Sequence, residues 1–122
     1  MKVTKAIREF IEQQVKIKEK QALEPFMKKK EDAIQRANEA FEKLEKEMNS
    51  MLQPVLNKHN IEDKLRVRLP NSEYYLPEVK EYNAKREEFY NKRHLIIVEI
   101  IAEMELGGTK AELMDKINNI SF

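Results

Sequence analysis

The sequence contains no cysteine and no tryptophan, only two glycines, and almost no excess of charge, since 23 basic and 22 acidic side chains leave +1. Without cysteine there is no disulfide scaffold, no zinc ribbon and no thiol nucleophile. Gly107 and Gly108 are adjacent, so the spaced glycines of a phosphate-cradling loop are missing. Near neutrality excludes both a uniformly basic nucleic-acid binder and an acidic disordered tail. Long apolar runs are lacking too. The most apolar window, Leu95 to Leu106, carries three glutamates in twelve residues and is too short to span a bilayer. Behind Met1, Arg8, Glu9 and Glu12 interrupt any run of signal-peptide length, so the expected location is the cytoplasm.

What is present is a chain of 122 residues, 41 % hydrophobic and 37 % charged, long enough for one domain with a modest core. Its apolar residues recur with helical spacing. Val3, Ile7, Phe10, Ile11, Val15 and Ile17 lie among charges and predict an amphipathic helix over 3–23, with Thr4 offering its hydroxyl to a first-turn amide. Glu24-Pro25 then interrupts, because proline lacks an amide proton but fits a first helical turn. Two helices meeting there is the reading adopted; a continuous, kinked helix is the alternative. The next segment, 25–56, is the most regular. Leu23, Met27, Lys30, Ile34, Ala37, Phe41, Leu44, Met48, Met51 and Val55 step by three and four, and only Lys30 breaks the apolar row. Such a heptad seam predicts a partner helix along it. Pro54 predicts a kink or stop between Leu52 and Asn57.

Residues 57–77 read as a connector. Lys64-Leu65-Arg66-Val67-Arg68-Leu69 alternates with period two, and Glu73-Tyr74-Tyr75-Leu76 follows a Pro-Asn-Ser turn. A β-hairpin of 64–69 against 73–76 accounts for both, with a further helical turn from Ile61 to Arg68 as the alternative. Pro77 opens a third long helix, 78–106, that stops at Gly107-Gly108. Its second half is apolar nearly all round and must be covered on several sides. Thr109-Lys110-Ala111-Glu112 has capping-box spacing and opens a last helix over 110–120.

The expected fold is therefore mainly α: residues 1–122 as one helical domain, a long antiparallel helical hairpin with short helices packed at one end and a small β-hairpin at the tip. Catalysis is poorly supplied. His59 and His94 lie in different segments, and only three serines and three aspartates exist, none placed beside a base by spacing. No Glu-x-x-His pair supports a di-metal bundle. No catalytic residue, metal or cofactor is implied. The candidate protein-interaction seam is Met27, Ile34, Phe41, Leu44, Met48 and Met51, and its flexible methionines suit varied surfaces. Residues 78–94 offer it only Val79, Tyr82 and Phe89, so part of the seam is left for a second copy or another protein. A nucleic-acid patch of Lys28, Lys29, Lys30, Arg66 and Arg68 is the weaker alternative, arginines beside tyrosines being able to stack on bases.

Thr4-Lys5-Ala6-Ile7-Arg8-Glu9-Phe10-Ile11-Glu12 followed by Val15 resembles the start of small helical proteins encoded by phages and prophages of low-GC Gram-positive bacteria. Seventeen lysines, eleven isoleucines and nine asparagines agree with such a source. The resemblance covers about a dozen residues and carries no functional residue. It implies a phage accessory protein, either an assembly or morphogenesis factor or a small protein that binds and redirects a host component.

Overall fold

The computed structural model describes residues 1–59 and 75–122. Three helices make up the described residues: α1 (Lys5–Lys58), α2 (Pro77–Glu105) and α3 (Lys110–Asn118). The β-hairpin expected over 64–69 and 73–76 lies, but for Tyr75 and Leu76, outside the described residues, and no strand occurs among those described.

Local capping explains the helix ends. At the start of α1 the Thr4 hydroxyl accepts from the Ile7 amide at 3.3 Å, satisfying one first-turn donor. α2 opens on Pro77, whose missing N–H would have had no intrahelical partner there, and the Val79 and Lys80 amides both donate to the Leu76 carbonyl. It closes where Gly107 takes a φ of +126°, and the amides of Gly107 and Gly108 both donate to the Met104 carbonyl. The Thr109 hydroxyl then accepts from the Glu112 amide at 3.2 Å and starts α3.

The break expected at Glu24-Pro25 is absent, and α1 runs on from the segment 3–23 into the segment 25–56 as one helix. Proline removes one hydrogen bond, to the carbonyl of Gln21, and that residue is exposed to water. Packing on either side holds the turn. Leu23 is buried, and the Phe26 ring meets Phe89 edge-on with centroids 6.3 Å apart. Nor does the helix stop between Leu52 and Asn57, since α1 runs through Pro54 to Lys58, past the buried Leu56.

Close contacts group the residues into two compact units, Met1–Met27 with Glu81–Phe122, and Lys28–Lys80. In the first unit α1 packs against α2. The Met1 ammonium donates to the Met104 carbonyl and Glu19 meets Arg93, so the two helices run in opposite directions here. The core is contributed pairwise: Ile11 and Val15 from α1, Ile100 and Met104 from α2, Leu113 and Ile117 from α3. Each buried aliphatic side chain of this kind contributes about 1.5–3 kcal/mol through removal from water. A second cluster continues it, with the Phe89 and Phe122 rings tilted at 53° to each other, centroids 5.4 Å apart, and Lys85 lying over the rings of Phe26 and Phe89.

In the second unit, Ala33, Leu56 and Val79 are buried. Along α1 the covered side carries Ile34, Asn38, Phe41, Glu45, Asn49, Leu52 and Leu56, stepping by three and four. This side fixes what the helix leaves to solvent.

Candidate interaction surfaces

The seam residues read from the sequence do not share one environment. Ile34 and Phe41 are half-buried, whereas Leu44, Met48, Met51 and Val55 are 47, 41, 78 and 50 % exposed. Up to Phe41 the apolar row and the covered side coincide. Beyond it the covered positions, Glu45, Asn49, Leu52 and Leu56, each fall one residue later, a rotation of about 100°. The result is a stripe of four apolar side chains at i, i+4, i+7 and i+11, in line on one face of α1 and open to solvent. Four large apolar side chains in line differ from the scattered exposed hydrophobics of an ordinary surface. Met27 belongs to the first unit and is 39 % exposed, beside Leu23 and Tyr82.

Lys28, Lys29 and Lys30 lie in α1, the first two exposed and Lys30 half-buried. Arg66 and Arg68 lie outside the described residues. His59 follows α1, and His94 lies on α2 with its ring edge-on to Tyr90 at 5.3 Å. Among the described residues, no group of three or more His, Asp or Glu side chains is placed to hold a metal ion.

The first unit carries a surface that the seam does not anticipate. There α1 and α3 cover α2 on two sides and leave Leu95, Val98 and, just past its end, Leu106 at 66, 64 and 89 % exposure. From that face a furrow runs between α2 and α1. Ile97, Val98, Ile101 and Ala102 supply its apolar floor, and Arg8, Glu12 and Lys16 its other wall. The three charged residues recur every fourth position, which brings them to one side of α1 in the order plus, minus, plus. Toward its lower end Arg93 lies over the Tyr90 ring at 4.6 Å and meets Glu19 at 3.3 Å. Both partners of that pair are shielded, Arg93 at 18 % and Glu19 at 12 % side-chain exposure, so Arg93 is held in place by an ion pair and a ring together. The sequence did hold a signal for this surface. A helix apolar all round needs covering on several sides, and two neighbours leave one side open.

No helix among the described residues is long and apolar enough to cross a membrane. No family profile, no curated protein and no solved structure matches the chain.

Proposed function

We propose that this is a non-enzymatic interaction protein that works by presenting a helical apolar surface to another polypeptide chain. The observation that carries this reading is the exposed stripe Leu44, Met48, Met51 and Val55. Apolar side chains in line along a helix match helix-in-groove recognition, in which anchors at i, i+4, i+7 and i+11 enter a partner. Two of the four are methionines, whose unbranched thioethers adapt to an irregular partner surface. The buried residues of the second unit, Ala33, Leu56 and Val79, are others, so the stripe is free to serve contact rather than stability. If the resemblance of residues 4–15 to phage-encoded proteins reflects origin, the partner is a phage assembly component or a host protein.

A photoreactive amino acid in place of Met51, expressed in cells of the source organism, tests the reading. It is expected to form a discrete adduct with a polypeptide, whether this chain or another. The same group in place of the exposed Gln13 is expected to form none. Adducts at Met51 no more discrete than those at Gln13 would overturn the proposal.

A further inference from the structure

We infer that the occupant of the furrow in the first unit is the exposed α1 stripe of a second copy of this chain. The inference rests on the reading above that the stripe is a contact surface, and it names the partner. Two complementary patterns support it. The furrow offers an apolar floor, Ile97, Val98, Ile101 and Ala102, bordered by Arg8, Glu12 and Lys16. An amphipathic helix that fills it needs an apolar stripe bordered by minus, plus, minus at the same four-residue spacing. In the second unit the stripe Leu44, Met48 and Met51 is bordered by Glu39, Lys43 and Glu47, all exposed, with Lys43 immediately before Leu44 and Glu47 immediately before Met48. In both rows successive charges rise about 6 Å along a helix, so three opposite pairs meet over about 12 Å. Because each row reads the same in either direction, the pairing is satisfied with the docked helix parallel or antiparallel to α1. The apolar parts match as well, since branched Ile97, Val98 and Ile101 meet adaptable methionines beside the small Ala102.

Each copy carries one furrow and one stripe, so the contact is heterologous: a given surface meets a different surface on its neighbour. Opposite charges brought together as the floor is dried specify which stripe enters and in which register, more than they add affinity.

Row inversion tests this directly. One chain carries Arg8→Glu, Glu12→Lys and Lys16→Glu; another carries Glu39→Lys, Lys43→Glu and Glu47→Lys. The wild-type protein is expected to sediment as an assembly heavier than its 14.6 kDa chain at about 100 μM, a concentration at which even a weak, micromolar contact is populated. Each inverted chain alone is expected to associate at least about tenfold more weakly. An equimolar mixture of the two is expected to regain association, because each stripe then matches the other chain's furrow. A monomeric wild-type protein, an inverted chain that associates as wild type, or a mixture that stays dissociated would each overturn the inference. Should an inverted chain lose its helical circular dichroism, Glu12→Cys and Lys43→Cys chains replace it. With no native cysteine to compete, their oxidised mixture is expected to give a mixed disulfide, and its absence overturns the inference equally. A Met51 adduct with some other polypeptide, together with a monomeric wild type, would refute self-docking and leave the proposed function standing.

Discussion

Met104 and Gly108 close the end of α2 on each other. The Met104 side chain is fully buried, and its sulfur lies where a Cβ on Gly108 would be only 2.7 Å away. The same methionine sits in the core against Ile11, Val15 and Leu113, so it has no room to retreat. A residue that ends a helix and a residue that fills the core are thereby tied together.

Gly108→Ala is therefore expected to destabilise by about 1–3 kcal/mol, as overpacking of a filled core does. Gly107→Ala meets nothing within 4 Å, and its penalty comes from the positive φ alone, about 1 kcal/mol. Urea unfolding midpoints of the two variants check the order. Equal effects would mean that Met104 yields.

Pro25 lies inside α1, where a proline costs about 3 kcal/mol relative to alanine through the lost hydrogen bond and the ring clash. Pro25→Ala also frees the unfolded chain, which takes back up to about 1 kcal/mol. A net gain of about 2 kcal/mol is expected from denaturant unfolding. A loss would show that the ring's own contacts outweigh the strain it imposes.

Glu19 and Arg93 are both well shielded, and the buried Glu19 oxygen makes no aligned hydrogen bond. Glu19→Gln leaves Arg93 stacked on Tyr90 but without its counter-charge, and is expected to cost about 1–2 kcal/mol, little changed by added salt. The exposed pair Lys85–Glu88 serves as the contrast, and Glu88→Gln should fall within about 0.5 kcal/mol of wild type. Stability curves at low and high ionic strength separate the two.

Substitution on the stripe is expected to leave folding nearly untouched. Met51→Lys changes a side chain that is 78 % exposed, so its effect on stability should stay within about 0.5 kcal/mol. Ile11→Ala, which opens a cavity between α1 and its two neighbours, is expected to cost about 2–5 kcal/mol. Thermal unfolding of both variants makes the comparison. A large loss in Met51→Lys would assign the stripe to the core instead of to a contact.

The helix ends were legible without the fold. Thr4, Pro77, Gly107 and Thr109 act through hydrogen bonds reaching no more than about four residues, so the sequence alone carries that information. Pro25 reads locally as an end, with a continuous helix as the alternative, and the helix continues for the complementary reason: Leu23 and Phe26 pack against residues about sixty positions away. The seam shows the same division. The sequence fixes that Leu44, Met48, Met51 and Val55 lie in line, because helical geometry does so. It could not say that the covered side of α1 would turn one residue away from them, nor which side of the apolar α2 would stay open. Those outcomes depend on which neighbours reach each helix and from what angle, which three-dimensional packing decides. Periodicity determined the stripes; only the tertiary structure decided which of them face water, because burial belongs to a pair of surfaces and not to one.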